Sequence, residues 1–259
     1  MAGAFAKLEW AQKHLTCLQR ELLAFEERND YVTQAETDPK TGREVLRALY
    51  IPPPPSDLAL IFSDVVHNLE AALDYAVYRR PRRASKGRRK DPKTFFPIFP
   101  VRNTKVRGKP SYAKDGIKAI KHLSAPAQEF IEAIQPYHRY RGRRRHPILW
   151  ELHQFARAEK HHGIPLVGRL GERRYSEIHT SRGEQIPERV DSGPVHFDQG
   201  DIAAVLWSPL HPEIRFKPHL ILQVFLSVEW SRYRFELGSQ TKAMHDHVAW
   251  VLGSLQRLL

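Results

Sequence analysis

A single cysteine, Cys17, in 259 residues excludes an internal disulfide, as expected of a chain that works in a reducing compartment. Cys17 sits beside Leu18 in a helical pattern, a position that suits a packed thiol better than a nucleophile. No run of about 18 apolar residues occurs, which removes a membrane-spanning helix from consideration. Met1 to Leu8 has neither a long apolar stretch nor a small-residue cleavage site, so no secretory leader is expected. These absences together predict a soluble, cytoplasmic protein without membrane partners. The 41% apolar content is still enough for a real core.

Acids are missing from two short segments, and that absence is the most informative of all. Arg79, Arg80, Arg82, Arg83, Lys86, Arg88, Arg89 and Lys90 place eight cations in twelve residues. Arg139, Arg141, Arg143, Arg144 and Arg145 place five more in seven. Removing those thirteen cations from a net charge of +12 leaves the remainder at −1. A solubilising surface mixes both signs. A neutral body with two cationic segments has the charge distribution of a polyanion binder. Tyr137, His138 and Tyr140 beside the second segment offer stacking surfaces, which favours RNA or single strands.

The spacing of apolar residues predicts an α+β, mostly helical architecture in one domain. It comprises a helical bundle with an N-terminal β-hairpin insertion and a small antiparallel sheet in the C-terminal half. Leu8, Ala11, Leu15, Leu18, Leu22 and Phe25 mark one face of a helix over residues 1–30. That stripe suits a core face or a dimer seam. Residues 31–55 read as a hairpin about the turn Asp38-Pro39-Lys40-Thr41-Gly42, closed by the stiff run Pro52 to Pro55. Residues 56–162 form the helical core that carries both basic loops. Its first helix is capped by Ser56-Asp57 and runs to about Tyr78. Shorter helices follow at Tyr112 to Leu123 and Pro126 to Ile134, the latter with Ser124 as N-cap and Pro126 in its first turn. Another opens after His146-Pro147. Residues 163–238 are β-rich, Leu220 to Val228 being the clearest strand, and 239–259 form a last amphipathic helix.

Polar residues on these helices define a second candidate region. On the helix from Ser56, one face is apolar, while Asp64, His67, Asn68, Asp74, Tyr75 and Tyr78 gather opposite. On the helix ending near Lys160, Glu159 projects with the buried face and needs a partner, for which His67 is the candidate. Lys160, His161 and His162 follow where the helix dipole favours cations. His67, Asn68, Asp74, Glu159, Lys160 and His161 therefore make the candidate functional face. His245-Asp246-His247 fan out at 100° per residue and read as surface.

The stretch His67-Asn68-Leu69-Glu70-Ala71-Ala72-Leu73-Asp74-Tyr75 resembles a motif, H-N-L-R-S-A-L-D-H, of a family of uncharacterised bacterial proteins. Gln135-Pro136-Tyr137, Leu149-Trp150-Glu151-Leu152 and Glu159-Lys160-His161, where relatives tend to have D-K-H, extend the likeness over most of the chain. The R-x4-H spacing inside that motif is similar to the signature of HEPN domains. These are helical, often dimeric proteins, several of which are metal-independent RNases. In those, histidine moves the 2′-hydroxyl proton and arginine steadies the phosphorane charge. Here Glu70 stands in the arginine position and Tyr75 in the histidine position, so the resemblance implies binding without catalysis at that locus.

Competing readings keep other residues in play. An RNase could use Arg157 and His162, which restore R-x4-H at the end of the Trp150 helix, with Glu159 and His161 beside them. The same spacing recurs at Arg141 and His146 and at Arg174 and His179. Asp64-x-x-His67 and Glu159-x-x-His162 have the acid-x-x-His spacing of bundle metal sites. The further carboxylates such a site needs are not evident, because Glu9 and Glu21 lie off the apolar stripe. No metal and no cofactor are therefore expected. The third reading is a protein-interaction module: a homodimer through the N-terminal or core helices whose basic face meets an acidic protein.

Overall fold

The structure, a computed structural model, describes residues 1–28, 30–78, 95–103, 111–139, 148–162, 166–172, 175–180, 185–189, 196–209, 211–217, 220–226 and 235–259. The chain is α+β, with more of it in helices than in strands. Helix α1 (Ala2–Glu27) is followed by strands β1 (Val32–Thr37) and β2 (Glu44–Tyr50), then α2 (Ser56–Val77). A π-helical turn at Tyr112–Gly116 leads into α3 (Ile117–Ile120), α4 (Ala125–Ala133), α5 (Pro136–Arg139) and α6 (Ile148–His162). Seven strands come next: β3 (Leu166–Glu172), β4 (Tyr175–Thr180), β5 (Gln185–Arg189), β6 (His196–Phe197), β7 (Ile202–Ser208), β8 (His211–Lys217) and β9 (Leu220–Leu226). The two-residue strand β10 (Phe235–Glu236) and helix α7 (Leu237–Leu258) end the fold.

The apolar spacing of α1 is realised as burial: Ala4, Ala11, Leu15, Leu18, Leu22 and Phe25 all face the core. Elements of the same chain, α2, α7 and β9, fill that stripe. The heptad residues are therefore core, and the dimer-seam reading of this stripe does not hold. Helix α2 runs antiparallel to α1, as the contacts of Gly3 with Tyr75, Lys7 with Asn68 and His14 with Asp64 show, and it also packs against α6 and α7. The two facing helices are matched by Gly3, where an added Cβ would lie 3.2 Å from the Tyr75 ring. Phe62, Phe155 and Phe235 knit α2, α6 and β10 together, with ring centroids 4.7–5.9 Å apart. Each fully buried Leu or Phe contributes about 1.5–3 kcal/mol of hydrophobic stabilisation.

Among the described residues the strands form two antiparallel sheets, with strand orders β1-β2-β7-β8-β4-β5 and β10-β9-β3-β6. The hairpin is thus one end of a six-stranded sheet, joined through β2 to β7. Its turn follows the residues expected of it. Gly42 adopts φ +64, and the Asp38 carboxylate accepts from the Lys40 amide and the Thr41 hydroxyl. Those bonds, the Thr41 one foremost, hold the Asp38 carboxyl below its usual range. In β9, Leu222, Val224 and Leu226 alternate into the helical core while Gln223 does not.

Three expectations need correction. Helix α2 starts at Ser56 with Pro55 as its N-cap, and no side-chain hydrogen bond closes it. The helix from Tyr112 opens as a π-turn and ends at Ile120, short of the expected Leu123. His245 is buried, its Nδ1 3.4 Å from Asp246 Oδ1, because α7 packs against several elements and its buried arc is broad. The helix at Ala125 forms as expected, with the Ser124 hydroxyl accepting from the Ala127 amide at 3.3 Å and Pro126 in the first turn.

Candidate nucleic-acid interface

Both basic segments are tied to the fold by residues at their ends. The cations from Arg79 to Lys90 lie outside the described residues, as do Tyr140, Arg141, Arg143, Arg144 and Arg145. Arg139 closes α5, and its side chain is not described. Before the first segment, α2 ends at Val77, whose carbonyl oxygen lies 2.8 Å from His122 Nε2. After it, the chain re-enters at Phe95 to Phe99. The Phe96 amide donates to Asp74 Oδ1 at 2.8 Å, fastening this strap to α2.

The second segment leaves from α5 and re-enters at α6, and its start is fastened to the same strap. Gln135 is fully buried and uses its whole amide. Its Oε1 accepts from the Phe99 amide at 3.0 Å, and its Nε2 donates to the carbonyls of Pro97 at 2.7 Å and Ile131 at 3.0 Å. Aromatic rings then run in contact from one anchor to the other. Phe95 meets Phe99, Phe99 meets Tyr112, Tyr112 meets Tyr137, and Tyr137 meets His138, at centroid separations of 4.5–6.4 Å. The first described residues after the first basic segment and the last ones before the second therefore share one aromatic cluster.

Tyr137 belongs to that cluster and is not an open stacking surface, because its ring meets Tyr112 edge-on and its hydroxyl is buried. Its hydroxyl pKa is pushed up to about 12, chiefly by burial, with the Glu132 carboxylate adding to the rise. Tyr112 is raised further still, again by burial. In the window from the ordinary tyrosine value near 10 up to about 12, the unfolded chain gives up a proton that the folded chain keeps. The contribution to stability is complete below that window and is lost as pH rises through it. Thermal melts across the window should show stability falling, and Tyr137→Phe should flatten the fall.

Beside the strap, a small cleft of about 90 Å³ opens between α2 and α6, lined by Glu70, Leu73, Asp74, Phe95, Phe96, Ile98 and His153. His153 Nδ1 stands 3.7 Å from Glu70 Oε1, both side chains half-buried. Two carboxylates on one wall make the cleft unfavourable for a phosphate, and nothing there replaces an arginine fork. Sequence reasoning placed Glu70 only as a departure from a motif and passed over His153. A helical projection would have found the latter, since it lies beside the buried Leu149, Leu152 and Ala156 on α6.

The other polar candidates do not converge. His67 is exposed on the outward side of α2. Asn68 is buried toward α1, where its Oδ1 accepts from Lys7 Nζ at 3.1 Å and its Nδ2 donates to the Asp64 carbonyl at 2.8 Å. Asp64 leans toward α1, 3.7 Å from His14. Arg157 is exposed on α6. The side chains of Glu159, Lys160, His161 and His162 are outside the described residues, although their backbone completes α6. Among the described residues, no group of three or more acids, histidines or cysteines is placed to hold a metal. Asn68→Ala should lower stability by about 1–3 kcal/mol, the cost of unpairing a buried polar group. His67→Ala should change it by less than about 0.5 kcal/mol, as exposed positions do. Denaturant melts of the two variants check both values.

No family model, no curated protein and no solved structure matches this chain. Among the described residues, no helix is long and apolar enough to cross a membrane.

Proposed function

We propose that this chain is a cytoplasmic nucleic-acid-binding protein of HEPN-like type, with RNA as its ligand and the two arginine-rich segments as the contact surface. The observation that carries the reading is charge segregation: thirteen cations occupy two short segments, and the rest of the chain nets −1. Arginine forks suit phosphate oxygens. The shared aromatic cluster beneath the anchors supports one joint surface over two independent ones. No catalysis is assigned to Glu70 or Tyr75, since the carboxylates at that locus repel phosphate. The test is titration of a labelled single-stranded RNA, with polyphosphate as competitor. Saturable binding at micromolar protein that polyphosphate displaces is the expected result. Failure to bind at that concentration in low salt would overturn the proposal.

A further inference from the structure

Trp250 on α7 keeps 47% of its surface in solvent. Its ring is nevertheless held, with Phe130 of α4 and His247 of α7 each at a centroid distance of 5.4 Å. An indole that is fixed and still half open gives up little freedom when another flat group settles on it. Gly253, one turn on, continues that side of the helix. Among the described residues, a Cβ added there would meet only Arg257 Nη1, at 4.0 Å. No packing contact therefore requires glycine at this position, where it weakens a helix relative to alanine. What it provides is a bare strip beside the indole. The Arg257 guanidinium folds back along that strip, its Nη2 donating to Ser254 Oγ at 3.3 Å. The step from Trp250 to Gly253 is about 4.5 Å along the helix axis, so ring and guanidinium lie within the reach of one nucleotide. We infer that this side of α7 is a base-stacking platform for single-stranded RNA, with Trp250 receiving a base and Arg257 the adjoining phosphate. The inference deepens the RNA-binding reading and rests on it.

Charge and position select the occupant. From His247 to Leu259 the sequence contains no aspartate or glutamate, so this length of α7 carries no carboxylate side chain to repel a phosphate. Helix α4 has two acids, Glu129 and Glu132. Glu132 is engaged by Arg102 Nε at 2.8 Å, and Glu129 stands a 100° step round the helix from Phe130. Helix α4 lies antiparallel along α7: the Ser124 hydroxyl donates to the Leu258 carbonyl at 2.8 Å, and Phe130 meets Trp250 further along. Helix α5 follows α4 and closes at Arg139, the first cation of the second basic segment. The nine residues from Phe130 to Arg139 span about 14 Å of helix, or roughly four stacked nucleotides at about 3.4 Å each. A strand held by the second basic segment therefore has the length to lay a base on Trp250. Every base offers a flat face, so such a platform adds affinity without demanding a sequence.

The test compares two labelled ligands on the full chain, a short single-stranded RNA and an abasic strand of the same length, which keeps the phosphates and lacks the bases. Trp250→Leu retains an apolar contact for Phe130, and Gly253→Leu covers the bare strip with a better helix former, so the second variant should melt no lower than the parent. Each should weaken RNA binding about tenfold and leave the slope of log K against log salt unchanged, because stacking releases no counterions. Neither should alter the affinity for the abasic strand. Arg257→Gln should instead lower the RNA salt slope by about 0.7, the share of one phosphate. RNA affinity equal to the parent's in both leucine variants would overturn the platform, and so would an equal loss for the abasic strand. In those two outcomes the wild type still binds RNA and the RNA-binding reading stands. A wild type that binds neither ligand would overturn that reading and the platform with it, so the two failures are distinguishable.

Discussion

Neutralising both basic segments, by replacing all thirteen arginines and lysines with glutamine, should weaken single-stranded RNA binding at least about 100-fold at moderate salt. The size of the effect follows from counterion release. Each phosphate neutralised on a single strand contributes about 0.7 to the slope of log K against log salt, so losing several contacts removes orders of magnitude together. Replacing one segment alone should give an intermediate loss if, as proposed, the two act as one surface. Glutamine retains length and polarity, and the anchors lie in the fold proper, so the melting temperature should stay near that of the wild type. A variant that melts normally and still binds RNA as tightly as the parent would remove both segments from the interface.

The largest effect on stability should come from Phe62→Ala. Phe62 has no exposed surface, and its ring contacts Phe155 at 5.3 Å and Phe235 at 5.9 Å. These three rings are the point where α2, α6 and the start of the C-terminal helix meet. Truncation removes the transfer energy of a buried ring and leaves a cavity that three separate elements cannot easily collapse to fill. The expected cost is about 3–5 kcal/mol, a large share of the 5–15 kcal/mol that holds a typical domain folded. Phe62→Leu should cost much less, since it keeps most of the apolar volume. Denaturant midpoints of the two variants measure the difference. Equal, small losses for both would show that the ring cluster is not where these elements are held together.

The helices were legible because their burial is local and periodic. Leu15, Leu18 and Leu22 are core residues in the sequence pattern and in the fold alike, and Ser124 caps α4 as its position implies. Strand β9 was equally plain from the run beginning at Leu220. What the sequence could not reveal was how strands distant in order pair, such as β2 with β7, because that choice depends on contacts across about 160 residues of chain. Polar residues were the hardest to read. Asn68 and His67 are neighbours in one motif, yet one is buried against Lys7 and the other is in solvent. A step of 100° along the helix separates those fates. Gln135 illustrates the opposite failure: its side chain pins the strap from Pro97 to Phe99, and no local pattern announces a glutamine whose partners lie 36 and 38 residues away. His153 differs: a helical projection places it beside the buried Leu149, Leu152 and Ala156, and only its pairing with Glu70 on another helix is not local.

The central claim, that the arginine-rich segments form a phosphate-binding surface, is tested most directly by the salt dependence of RNA affinity. If five to eight phosphates are engaged, log K should fall against log salt with a slope of roughly −4 to −6 for a single strand, and the slope should collapse toward zero when both segments are neutralised. A flat response in the wild type, or an equally steep one in the neutralised variant, would contradict it.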